Sequence, residues 1–231
     1  MKNKLILALP LAGIALVLAS CGDKTTSETT TTDNNNNTIV YSNETYYASP
    51  NGVANANGTK ESPVDIRTGF NKLKAGDTLI LLDGTYNLPE RILIDKTQNG
   101  ASGHMITVKA DDNANVTLDF SQQIIAGTSR GVQINADYWH LYGFDVKGAG
   151  DNGVYIAGSY NIVENCSFHE NQDTGLQIGR ASSDLTNIKD WPHNNLIKNC
   201  TSYNNYDYQS YGENADGFAA KLTTGEGNVF D

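Results

Sequence analysis

The sequence predicts an all-β protein wound as a parallel β-helix, and three observations carry that expectation. Gly131, Gly153 and Gly175 recur at intervals of 22 residues. Each is followed by Val132, Val154 or Leu176 and then, two positions on, by Ile134, Ile156 or Ile178. That apolar–polar–apolar alternation marks a strand with one buried face. The composition agrees: charged residues are only 18% of the 231, with 22 Gly and 12 Tyr, which is not the usage of a helical bundle. Short strands on this period, with Gly and Asn at the turns, suit a coil of three strands. Such a coil buries its inward residues only when a neighbour stacks about 4.8 Å away. A leucine-rich repeat would show Leu-x-x-Leu-x-Leu spacing, and a propeller blade needs about twice the length.

Taken in order, the chain opens with Lys2 and Lys4 before an apolar run from Leu5 to Leu18, too short to span a bilayer and laid out as a secretory signal over residues 1–20. The run ends in Leu18-Ala19-Ser20-Cys21, which resembles the bacterial lipoprotein box. That resemblance implies lipidation at Cys21 and, with more than one acyl chain, a stable membrane anchor at the bacterial cell surface or periplasmic face. Residues 21–38 read as a flexible tether, because Gly22 to Thr38 contains no apolar side chain. Flexible-chain scaling gives it a reach of about 20–25 Å.

Residues 39–77 read as an N-terminal cap region containing a short capping helix. Ser62 is placed at the N-cap, Pro63 at the first helical position and Asp65 two residues on, with Ile66, Phe70 and Leu73 forming one apolar stripe and Gly76 as the stop. The coils are expected over residues 78–231, the strand at Asp77–Leu82 coming first and turning out through Asp83-Gly84-Thr85-Tyr86. A further strand is predicted in each repeat: Leu141–Val146, Ile162–Phe168 and Leu196–Tyr203. About seven coils fit at this period. The final Asn228-Val229-Phe230-Asp231 matches the start of a strand, as in Asn195-Leu196-Ile197-Lys198, so the solenoid is expected to be incomplete at its C-terminus.

A formal charge of −10, from 26 acids against 16 Lys and Arg, offers no broad cationic face and excludes nucleic acid as a partner. An acidic ligand would need a cation between it and the protein. Cys166 and Cys200 occupy the same place in successive coils, and a reduced ladder is expected there rather than a disulfide. The four histidines are scattered, Asp111–Asn115 lacks the spacing of an EF-hand loop, and no Gly-x-Ser-x-Gly is present. Two excursions interrupt the coils, Ser182–Asn194 and Tyr206–Asn214. Loops leaving a rigid scaffold are where a site would be built. Trp191, Tyr206 and Tyr211 either offer flat faces to sugar rings or pack these loops onto the coil, and both readings stand.

Asp190-Trp191-Pro192-His193-Asn194-Asn195-Leu196-Ile197, Asn199-Cys200-Thr201-Ser202-Tyr203, Glu213-Asn214-Ala215-Asp216-Gly217-Phe218-Ala219-Ala220-Lys221-Leu222 and Gly227-Asn228-Val229-Phe230-Asp231 closely resemble polysaccharide lyase family 9. The resemblance implies a right-handed winding, calcium (Ca2+) dependence and cleavage of homogalacturonan by β-elimination. By position, Asp216 matches the family's first calcium-binding aspartate. Lys221 lies in the matching motif and is assigned to substrate binding, not to the base. The family's remaining calcium aspartates and its catalytic lysine would lie beyond Asp231. The chemistry requires such groups, since the proton beside a uronate carboxylate is removed only when the carboxylate charge is neutralised and a base is at hand. The chain as it stands is therefore expected to have little lyase activity of its own. The reading is a monomeric, surface-anchored pectate lyase acting on an acidic polysaccharide. Its rivals are a noncatalytic carbohydrate-binding or adhesin-like β-helix lipoprotein, and a related epimerase or hydrolase, the last of which would need paired carboxylates.

Overall fold

The computed structural model describes residues 29–32 and 38–231; the signal segment and Cys21 lie outside the described residues. Within the stretch read as a tether, β1 (Thr29–Thr32) forms and pairs antiparallel with β2 (Thr38–Tyr41), which leads into the cap region. Tyr41 then stacks on His104, ring centroids 3.7 Å apart.

β3 (Thr45–Ala48) precedes α1 (Ile66–Lys72), the single α-helix among the described residues. The helix begins later than the sequence suggests, with Asp65 and not Ser62 as its N-cap; the Asp65 carboxylate accepts the Thr68 N–H at 3.0 Å. Tertiary pairing explains the shift. Val64 bridges Ala48 and donates its N–H to the Tyr47 carbonyl at 2.9 Å, which keeps the chain extended until Asp65. The apolar stripe is buried: Ile66, Phe70 and Leu73 all face inward. Gly69 lets the helix come close, since a Cβ there would sit 2.9 Å from the Leu79 side chain. Phe70 lies parallel to Trp139 at 6.0 Å.

Five complete coils follow. The first has β4 (Thr78–Leu81), β5 (Gly84–Asn87) and β6 (Ile92–Ile94). The second has β7 (Ile106–Ala110), β8 (Val116–Asp119) and β9 (Val132–Ile134). The third has β10 (Trp139–Tyr142), β11 (Asp145–Lys147) and β12 (Val154–Ile156), and the fourth β13 (Ile162–Glu164), β14 (Ser167–His169) and β15 (Leu176–Ile178). The fifth has β16 (Leu196–Lys198), β17 (Thr201–Tyr203) and β18 (Phe218–Ala220), after which β19 (Val229–Phe230) begins a sixth. Like strands stack into three parallel sheets: sheet I, seven-stranded, runs β19-β16-β13-β10-β7-β4-β3; sheets II and III, five-stranded, run β17-β14-β11-β8-β5 and β18-β15-β12-β9-β6. The winding is a right-handed parallel β-helix, the hand expected of parallel crossovers.

Two expectations change. The coils are five and not about seven, because 22 residues is the minimal coil and the others carry insertions. Trp139 and Asn161 on neighbouring coils are 22 residues apart, but Asn161 and Asn195 are 34 apart and Asn195 and Asn228 33. Each long run read as one strand is two strands on different sheets, split by a left-handed corner at Gly143 (φ 78°), Asn165 (φ 55°) or Asn199 (φ 50°). Gly and Asn tolerate that conformation best.

Inward residues stack in columns: Val132–Val154–Leu176, Ile134–Ile156–Ile178 and Leu141–Val163–Ile197, all buried. Each such side chain contributes about 1.5–3 kcal/mol by leaving water. A polar column completes the interior at the corner from sheet III to sheet I. Asn161 Oδ1 accepts from Trp139 N at 2.8 Å, Asn195 Oδ1 from Asn161 N at 2.9 Å, and Asn228 Oδ1 from Asn195 N at 3.1 Å. A shorter asparagine pair, Asn171 and Asn205, does the same after sheet II, with Asn171 Nδ2 donating to Asn205 Oδ1 at 2.9 Å.

Candidate functional site

The first insertion leaves the coil after β15 and folds on itself. Asn187 caps the short 3₁₀ turn Ile188–Asp190, accepting from Lys189 N at 3.1 Å. Trp191 is half-buried, and its indole N–H donates to the Leu185 carbonyl at 2.7 Å, where the Arg180 guanidinium also donates at 3.2 Å. Buried Pro192 ties the loop to the turn after β18, its carbonyl accepting from Gly225 N at 2.9 Å and from Asn228 Nδ2 at 3.0 Å.

The second insertion, between β17 and β18, is organised by Asp207, a residue the sequence reading did not single out. Its carboxylate accepts from the Gln209 and Ser210 N–H groups at 2.8 and 3.2 Å, from the Ser210 hydroxyl, and from Asn214 Nδ2 at 3.2 Å. The Ser210 hydroxyl, then the Asn214 amide, hold the Asp207 carboxyl below the usual carboxylate range. Tyr206 packs edge-on to Tyr208 at 4.7 Å, whereas Tyr211 is 87% exposed with φ 57°. The three aromatics thus differ in setting: Trp191 and Tyr206 engage their own loops, and Tyr211 projects into solvent.

Asp216 and Lys221 flank β18 and meet across it, Lys221 Nζ lying 3.1 Å from Asp216 Oδ2. The backbone fixes both ends, because the Asp216 carbonyl accepts from Gly175 N at 3.0 Å and Lys221 N donates to the Ile178 carbonyl at 3.1 Å. Beneath them Ala219 pairs with Gln177 and is buried. Both charged groups remain half-exposed. Among the described residues, no group of three or more His, Cys, Asp or Glu side chains could hold a metal ion.

Sheet III also carries cations along its length. Arg91 donates to Gln133 Oε1 at 3.2 Å. The Arg130 guanidinium lies over the Tyr155 ring at 3.5 Å, and Tyr155 donates its hydroxyl to the Arg180 carbonyl at 2.9 Å. Arg130 Nε is 3.4 Å from Asp151 Oδ2 and is buried without a hydrogen-bond partner. Burial pushes the Asp151 carboxyl up, Arg130 pulls it back, and the charge of Asp173 raises it again. Only alignment of coils brings Arg130 over Tyr155, so the sequence held no local sign of the pair.

Cys166 and Cys200 are free thiols. The hydrogen bond from Cys166 lowers the Cys200 thiol to about 7, and burial drives Cys166 upward.

Fold and surface together define the class: a right-handed parallel β-helix protein with two loops inserted between its last complete coils. Within that class the chain belongs to the Pel9A-like family, residues 46–231 matching its right handed beta helix region. The chain is 43% identical over 185 residues to pectate lyase L of Paenibacillus polymyxa (strain SC2), which covers 80% of this chain and 41% of that protein. Over 194 residues it is 34% identical to pectate lyase L of Dickeya chrysanthemi, covering 80% of this chain and 43% of that one. The crystal structure of pectate lyase Pel9A superposes with a TM-score of 0.72 at 32% identity, over 81% of this chain and 46% of that chain. A rhamnogalacturonan lyase at 24% identity and TM-score 0.66 shares the fold. The chain therefore spans less than half the length of the pectate lyases it matches.

Proposed function

We propose that the protein is a polysaccharide lyase acting on pectate by β-elimination. The observation that carries this reading is the 43% identity to a pectate lyase across the coils. The cations on sheet III support it, since a −10 chain that places Arg91, Arg130 and Lys221 along one sheet and its edge has a surface on which a polyanion can lie. Asp216 alone does not make a calcium site: calcium takes about six to eight oxygens, and the one carboxylate here is held by a lysine. Calcium dependence of the activity is a property to be measured. Lys221 orients Asp216 and is not assigned the role of base.

A second reading, a noncatalytic carbohydrate-binding β-helix, is favoured by the lack of a metal-holding cluster among the described residues. One experiment separates the two. Incubation with polygalacturonate, with calcium or with chelator, is followed by the absorbance of unsaturated uronate. Absorbance that appears with calcium and is lost with chelator supports the lyase, and retention on pectate without any absorbance replaces the lyase with the binder. Membrane attachment through Cys21 is part of the proposal, and loss of acyl labelling in Cys21→Ser tests it.

A further inference from the structure

The corner joining sheet III to sheet I carries a cavity that the reading above leaves unused. Equivalent turns of successive coils build its floor and contribute Asn99, Asn135 and Ser159, while the first insertion supplies a wall with Lys189 and His193. Its volume is about 430 Å³, inside the range of about 300–1,000 Å³ that holds small ligands. A second cavity of about 430 Å³ lies on the other side of Lys189 and His193 and ends on Tyr160. The two share Lys189 and His193 and adjoin as a trough, with Glu226 at the Tyr160 end, on the edge of sheet III from which Lys221 also leads.

Three features of the lining point to one ligand chemistry. Lys60, Lys147, Lys198 and Lys221 are each in an ion pair. Lys72, Lys74, Lys96, Lys109 and Lys189 have no ion-pair partner among the described residues, and of these Lys96 and Lys189, both exposed, line this trough. Asn99 Oδ1 accepts from Asp137 N and Asn135 Oδ1 from Gln133 Nε2, both at 2.9 Å, which leaves both Nδ2 groups with no protein partner among the described residues. Asp137 gives Oδ1 to Ser159 N at 2.7 Å and Asp190 stands at the rim, so carboxylate oxygens remain for hydroxyl donors. Tyr160 is 40% exposed, backed face to face by Tyr138 at 4.8 Å and held edge-on by His193 at 5.0 Å. A ring fixed in this way is a flat platform for the C–H face of a sugar and loses little side-chain freedom on binding.

We infer that this trough binds an acidic saccharide, with Lys96 and Lys189 taking its carboxylates and Tyr160 one of its ring faces. The inference deepens the pectate reading, because the same polymer would reach beyond sheet III into it, and the first insertion becomes a binding wall rather than a surface loop. It needs neither Asp216 nor a metal.

Calorimetric titration of the chain with trigalacturonate in the presence of chelator tests it. The wild-type chain should bind, and the double variant Lys96→Gln/Lys189→Gln should bind about tenfold more weakly, as loss of two charge contacts requires. Tyr160→Ala should also weaken binding, and Lys147→Gln, on β11 in sheet II across the coil from this corner, should not. The methyl-esterified trisaccharide should bind as weakly as the double variant does the acid. Circular dichroism guards against misfolding, which exposed lysines are not expected to cause. Unchanged affinity in the double variant, or equal affinity for ester and acid, overturns the site. Binding only when calcium is present, or no binding with or without calcium, overturns the trough, while the lyase reading is decided separately by the absorbance of unsaturated uronate.

Discussion

Replacing Asn195 by Ala removes the central rung of the asparagine column. Asn195 is fully buried, accepts from Asn161 N at 2.9 Å, and donates from Nδ2 to the Gly158 carbonyl at 3.1 Å and to Asn228 Oδ1 at 2.9 Å. The substitution strands the Asn161 N–H and the Gly158 carbonyl where water cannot reach them, while half-buried Asn228 can turn to solvent. Each buried orphan costs about 1–3 kcal/mol, so the two predict a loss of about 2–6 kcal/mol. In a chain of this size that lowers Tm by roughly 5–20 °C. Urea unfolding followed by both far-ultraviolet circular dichroism and tryptophan fluorescence measures it. Two probes are needed because a stack of coils can melt from one end. Asn87→Ala, exposed on β5, is the control and should stay within about 0.5 kcal/mol. Equal effects at the two positions would mean that the column is a passenger and that apolar stacking alone sets the register.

Cys200 should react with iodoacetamide with a midpoint near its lowered value of about 7, while Cys166, buried and pushed up, should label only on unfolding; mass spectrometry of the labelled peptides decides. For His140, burial lowers the imidazole pKa by more than Glu164, 3.4 Å away, raises it. Its contribution is present above the ordinary value of about 6.5 and is lost as pH falls through the lowered folded value. The urea midpoint should therefore drop between neutral and mildly acidic pH, and His140→Gln should flatten that slope. Asp207 has the opposite chemistry and the same direction: with its carboxyl held low, its stabilisation is present above about 3.9 and disappears as pH falls through the folded value. Proteolysis within residues 206–214 should accelerate there, and Asp207→Ala should show the faster cleavage already at neutral pH.

The coil period was legible because its signals are local. Gly131, Gly153 and Gly175, with the aliphatics that follow them, need no knowledge of distant chain. The corner between sheets I and II was also written in the sequence, as a slip of parity. Val163, Cys166 and Phe168 all point inward, a step of three and then of two, and Asn165 sits in the slip with φ 55°. The start of α1 was not legible, because Ser62-Pro63 is a good local cap that loses to the pairing of Val64 with Ala48. At the site, residue type marked Trp191 as aromatic but not that its N–H would turn back to Leu185. Arg130 and Asp207 went unnoticed for the same reason: one acts through the neighbouring coil, the other through a loop whose shape it makes.

The asparagine column also explains how such a chain can carry a site. Its members are 34 and 33 residues apart where insertions intervene, yet the bonds between them, 2.9 and 3.1 Å, match the 2.8 Å bond across the bare 22-residue coil. Register is therefore fixed at the corner, one residue before each strand of sheet I, and not by the length of chain between corners. A segment inserted after β15 or β17 adds surface without moving a strand. For that reason Lys189, His193 and Asp207 stand on loops while Asp216 and Lys221 stand on the sheet. The Asp216–Lys221 pair is tied to the two ends of β18, and the groups of the two insertions are carried where length is free to change.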